Sequence, residues 1–168
     1  MLMKKKIETN YFCKSNLWSR RMKKIKNIVS KIILIDECGF KQNTSYFLNL
    51  IFVDNKNIRA INKTYRKKNL PTDVLTFVTT LNNKISKKEK YCDIFFSAEM
   101  IKKDAKKNLI NFYDHLTHLI IHCFLHVNGY DHKINADFLR MKKLEKEILN
   151  NFNIRDPYLY EWRFTRKT

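Results

Sequence analysis

Glycine and proline are nearly absent from this chain, with two of each in 168 residues. Together with abundant lysine, asparagine and isoleucine, this is the composition that AT-rich codons give. Part of the lysine content is therefore assigned to solvated faces. No apolar run approaches the roughly 20 residues needed to cross a bilayer, which excludes a membrane-spanning reading. The opening Met1-Leu-Met-Lys-Lys-Lys-Ile-Glu-Thr-Asn is basic with no apolar segment behind it, so no secretory signal is expected. Cys13, Cys38, Cys92 and Cys123 form no CxxC pair and no dense framework, which suits a reducing cytoplasm and excludes a disulfide scaffold. Acidic residues are also scarce, 16 against 34 basic, for a formal net charge of +18. Such a field attracts polyanions and favours nucleic acid or the ribosome as a partner.

What is present describes a globular chain. Apolar residues make up 44%, and aromatics 13%, too many for a disordered protein. No internal repeat, linker or second domain is visible, so one domain over 1–168 is expected. It divides into a lead-in and basic helix (1–44), a core (45–158) and a basic tail (159–168). In the lead-in, Leu17, Trp18, Met22, Ile25, Ile28, Val29, Ile32 and Ile33 recur at helical spacing, with Ser15 or Asn16 as the cap. Tyr46 to Val53 reads as a strand buried on both faces. A short helix carrying Ile58, Ile61 and Tyr65 follows, then a loop through Pro71-Thr72 and a strand from Asp73 to Thr79. Leu81 to Tyr91 is polar and reads as a hairpin loop. Cys92 to Phe96 is a third strand, and Ser97 caps the next helix, to Lys107. An apolar helix from near Asn111 to about Val127 is expected to be central, and Asn135 caps a last helix with the stripe Phe138, Met141, Leu144, Ile148 and Leu149. The expected fold class is α+β, a small mixed sheet packed with helices.

Four of the five histidines fall between positions 118 and 132. His122 and His126 are four apart and share a helix face. Gly129 allows the helix to end in a left-handed conformation and reverse, so that His132 can return towards them. Three neutral imidazoles meeting in this way make a zinc site of catalytic type, with one position left for water. The ligand and glycine spacing is that of the metzincin proteases. Position 123 is Cys where those enzymes carry their Glu base, so peptidase chemistry is excluded. Outside the motif, Arg66 is either a phosphate clamp or an ordinary surface arginine. Asp73 and Asp93 are either acceptors for imidazole N–H groups or turn residues. His118 shares the face of His122. Asp131 reads as a turn or outer-shell residue, and Cys123 as a packing residue.

The block His122-Cys-Phe-Leu-His-Val-Asn-Gly-Tyr-Asp-His132 resembles the signature of the YbeY family, the bacterial rRNA maturation factors. Asn62-Lys-Thr-Tyr-Arg66, Pro71-Thr-Asp-Val-Leu-Thr-Phe77, Cys92-Asp-Ile94 and Asp156-Pro-Tyr158 resemble further family segments in the same order. The likeness runs from about Tyr46 to Tyr158. It departs at Cys123 and Cys92, where the family usually has Gly, and at Val78, where Pro is common. The resemblance implies a single α+β domain and a metal-dependent, single-strand-specific endoribonuclease acting in small-subunit rRNA 3′-end maturation and ribosome biogenesis. It implies one zinc ion per chain on His122, His126 and His132, with Arg66 as the basic residue of the cleft. Implied partners are single-stranded rRNA, the small ribosomal subunit and ribosome-associated GTPase machinery, in the cytoplasm, with neither membrane nor DNA. The rival reading is a non-catalytic assembly factor that binds RNA and keeps a structural metal.

Overall fold

The structure, a computed structural model, describes residues 6–82, 88–130 and 135–159. Four strands, β1 (Lys6–Cys13), β2 (Thr44–Val53), β3 (Val74–Asn82) and β4 (Lys88–Ser97), form one mixed sheet in the order β1-β2-β4-β3. β1 and β4 flank β2 in parallel, and β3 pairs antiparallel with β4 at the far edge. Helices α1 (Met22–Ile33), α2 (Asn55–Arg66), α3 (Ala98–Lys107), α4 (Phe112–Val127) and α5 (Asn135–Asn150) complete the fold. This is the expected α+β architecture, with the histidine helix at its centre.

The pleat decides what each sheet face does. Leu48, Leu50 and Phe52 of β2 lie beside Cys92, Ile94 and Phe96 of β4 in register, and all six are fully buried. This face forms the main core with α1, α4 and α5. Trp18 packs edge-on against Phe52 at 5.0 Å, and its indole N–H donates to the Val53 carbonyl at 2.8 Å. The opposite face is covered only in part: α2 packs Ile58 and Ile61 over Ile51, Leu75, Phe77 and Phe95. Beyond α2, Phe47 and Tyr91 stack at 4.7 Å, with Tyr91 exposed. β2 therefore alternates between buried and half-buried residues, which corrects the expectation of burial on both faces.

Other expectations also need correction. β1 stands inside the region expected as a lead-in. Only Ile7 and Tyr11 of this strand pack against the core, and its ladder with β2 is non-local, so periodicity alone does not reveal it. The expected hairpin loop is shorter than read, because β3 runs to Asn82 and β4 starts at Lys88. Polar residues suit these strand ends, which run out beyond the core towards solvent. Neither Ser15 nor Asn16 caps α1, which enters from a 3-10 turn at Ser19–Arg21 without a side-chain cap. Ser97 holds the N-cap position of α3 without capping it. Its hydroxyl instead donates to Asn55 Oδ1 at 2.7 Å.

α4 positions the site. Asn111 caps it by accepting from the Tyr113 N–H at 2.8 Å, as Asp54 caps α2 through the Asn57 N–H. Its buried residues run almost all round, from His115 and Leu116 to Leu125 and Val127, as befits a helix enclosed by core. His118, His122 and His126, each four residues on, share the face that stays half-buried. The exit of α4 is pinned from several sides. Asn128 accepts from the Tyr46 hydroxyl at 2.8 Å and donates to the Cys38 carbonyl at 2.8 Å. Lys90 places its ammonium on the Val127 carbonyl, at the negative end of the helix dipole. Gly129 then turns with φ +91°, the left-handed conformation expected of it.

Candidate functional site

A cleft of about 750 Å³ opens between α4 and the edge strand β3. One wall carries His115, His118, Leu119, His122 and His126; the other carries Thr72, Asp73, Val74, Thr76 and Val78. Arg66, at the end of α2, and Tyr158 also line the cleft. Arg66 is exposed there, so its guanidinium stays hydrated until something anionic enters.

The imidazoles of His122 and His126 meet with their Nε2 atoms 3.0 Å apart. His126 Nδ1 lies 2.9 Å from the Tyr130 carbonyl, which only accepts, so Nδ1 carries the proton. His122 Nδ1 lies 2.6 Å from Glu145 Oε1. Burial would push the Glu145 carboxyl up, but hydrogen bonds from His118 and His122 outweigh it and hold the group down to about 2. The carboxylate is therefore ionised and accepts from His122. With both Nδ1 positions donating, rings that carry no further proton would direct Nε2 lone pairs at one another. That arrangement is repulsive unless a cation or a proton lies between them. Two imidazoles oriented by acceptors behind them are donors that suit a transition metal such as zinc, so these residues fit the implied metal. His132 and Asp131 lie outside the described residues.

Glu145 is a residue of the site that the histidine motif does not point to. It is 0% exposed and accepts from His118 at 3.2 Å as well as from His122, and the Tyr158 hydroxyl donates to it too. A lone buried carboxylate would be costly, whereas one met by several donors is compensated. Its sequence signal was available: position 145 falls within the apolar stripe of α5, between buried Met141 and buried Ile148. A charged residue on a buried face needs partners.

The other candidates separate clearly. Arg66 and Asp73 reach the cleft, while Asp93 is exposed elsewhere and accepts from Asn49 at 2.8 Å, so it does not serve the histidines. Cys123 is fully buried, and burial pushes its thiol up to about 12. It packs, as expected, and is not a nucleophile. Cys92 is likewise buried in the core. A second group includes His115 of the same helix: ligand atoms of Asp73, Asp104 and His115 fall within 4.8 Å of one another, a candidate metal-binding group in its own right.

The fold and cleft define an α+β protein with paired imidazoles backed by a buried carboxylate. The model of the Endoribonuclease YbeY family matches residues 12–153, and the chain belongs to that family. Endoribonuclease YbeY of Bartonella bacilliformis is 39% identical over 128 residues, covering 76% of this chain and 80% of that protein. The Neorickettsia sennetsu protein of the same name is 35% identical, covering 79% and 88%. That of Ehrlichia canis is 31% identical over 156 residues, covering 91% and 97%. A solution structure from Thermotoga maritima aligns over 88% of this chain and 91% of its own, with a TM-score of 0.47 at 23% identity.

Proposed function

We propose that this protein is a single-strand-specific, metal-dependent endoribonuclease that matures small-subunit rRNA at its 3′ end during ribosome biogenesis. The observation that carries the reading is the pair of Nε2 atoms facing each other at 3.0 Å on the cleft wall, each ring fixed from behind. Family membership supports the activity, since the relatives carry the name endoribonuclease. In this reading His122, His126 and His132 hold one zinc ion. When bound, the ion supplies Lewis acidity towards water and phosphoryl oxygen.

The chain's own residues do the rest. Glu145 and the Tyr130 carbonyl fix the tautomers of His122 and His126. Glu145 is occupied by its donors, so it orients and does not act as a free base. Arg66 neutralises charge on the phosphate as the phosphodiester is hydrolysed. The cleft, walled by an edge strand and a helix, accepts an extended single strand. The +18 charge draws rRNA in from solution. The reading places the protein in the cytoplasm, with the small ribosomal subunit and a ribosome-associated GTPase as partners.

The test is cleavage of a short single-stranded RNA by pure protein, with and without chelator, beside a His126→Ala preparation. Cleavage that requires both metal and His126 supports the reading. Absence of cleavage by protein that still holds metal would replace it with a non-catalytic assembly factor whose metal is structural.

A further inference from the structure

His115 is 9% exposed, yet neither of its ring nitrogens has a hydrogen-bond partner. Buried imidazoles are normally satisfied, because an unpaired buried polar group costs about 1–3 kcal/mol. Burial and the neighbouring His118 both push His115 down towards its neutral form, against the pull of Asp73 and Asp104. A neutral ring presents a lone pair.

Two carboxylates converge on that ring from other elements. Asp73 comes from the segment entering β3, Asp104 from α3, and both are half-buried. Their ligand atoms and that of His115 lie within 4.8 Å of one another, while the imidazole is beyond direct hydrogen-bond reach of either. One Asp73 oxygen is already held by the Val74 N–H at 2.8 Å and the Thr72 hydroxyl at 3.0 Å, which fixes the orientation of that carboxylate. Two formal negative charges and an imidazole lone pair around one point leave space for an ion between them.

We propose that Asp73, Asp104 and His115 form a second divalent-cation site, separate from the His122–His126 pair. One imidazole with two carboxylates combines the donor classes of zinc and of manganese, and differs from the all-oxygen shells that calcium and magnesium prefer. Two helical turns separate His115 from His122, roughly 10 Å along the axis. Bridged two-metal centres need about 3.5–4 Å, so the second ion is not one half of such a centre. It ties α3, α4 and the entry to β3 together beside the cleft that His115 and Asp73 also line. The site stands whether or not the protein cleaves RNA.

Manganese binding tests this without recourse to activity. Full-length protein loaded with one equivalent of zinc is titrated with Mn²⁺, and the free-ion electron paramagnetic resonance signal is followed. One further equivalent of Mn²⁺ should bind. The affinity should fall at least tenfold in Asp104→Asn and in His115→Gln, and should be unchanged in the His122→Ala/His126→Ala double variant, which is titrated without zinc because zinc would otherwise enter the second site. Asp104 is half-buried, so its variant keeps the test decisive if His115→Gln fails to fold. The proposal is overturned by no saturable uptake up to millimolar Mn²⁺, by uptake that Asp104→Asn does not weaken, or by loss of uptake in the double variant.

Discussion

Glu145 shows how one side chain can set the chemistry of a site from behind. Its oxygens take N–H groups from His118 and His122 and the Tyr158 hydroxyl, which fixes the His122 tautomer and directs Nε2 into the cleft. Glu145→Gln keeps the volume but replaces one acceptor oxygen with a donor amide aimed at an N–H. Zinc affinity, read by competition with a chromophoric chelator, should fall by about 10–100-fold, the usual cost of losing a partner behind a metal-binding His. Unchanged affinity would mean that His122 is oriented by packing alone. Cys123 illustrates the opposite case. Adjacent to His122 in sequence, it points into the core, because neighbours on a helix diverge by about 100°.

At the scale of elements, the exit of α4 decides where the His126 carbonyl partner and the following turn lie. Asn128 makes three side-chain hydrogen bonds there, to the Tyr46 hydroxyl and to the Cys38 and Phe124 carbonyls. Asn128→Ala removes one hydrogen-bond partner each from the Cys38 carbonyl and the Tyr46 hydroxyl, on residues that are both buried. A loss of about 1–3 kcal/mol is expected, seen as a lower urea midpoint with an unchanged slope. α4 itself was readable from its sequence, since 16 residues rich in Leu, Ile and Phe behind a capping Asn admit few alternatives. β1 was not, because its strand character comes from pairing Ile7 with Tyr46 and Tyr11 with Leu50, far away in the chain. The caps expected at Ser15 or Asn16 and at Ser97 failed for a similar reason: a 3-10 entry and an acceptor on Asn55 displaced the local option.

For the whole molecule, the relevant quantities are net charge and the cleft it surrounds. If the protein binds single-stranded RNA as proposed, affinity should fall steeply with salt, by about 0.7 logarithmic units per neutralised phosphate for each decade of salt. Arg66→Ala should reduce that slope by about one contact and weaken binding regardless of RNA sequence, measured by fluorescence anisotropy across a salt series. A slope unmoved by Arg66→Ala would place the guanidinium off the RNA path. The sequence by itself determined the α+β class, the central helix and the common face of His122 and His126, because helical periodicity and capping are local properties. Only the tertiary structure decided that Arg66 and Asp73 share a cleft with those histidines while Asp93 lies elsewhere, since the register of β3 on β4 is set across the sheet. It also decided that Glu145 stands behind His118 and His122, and that Asp73, Asp104 and His115 converge. A buried carboxylate and its donors come from elements distant in the chain, and no periodicity within one element encodes which partner another will bring.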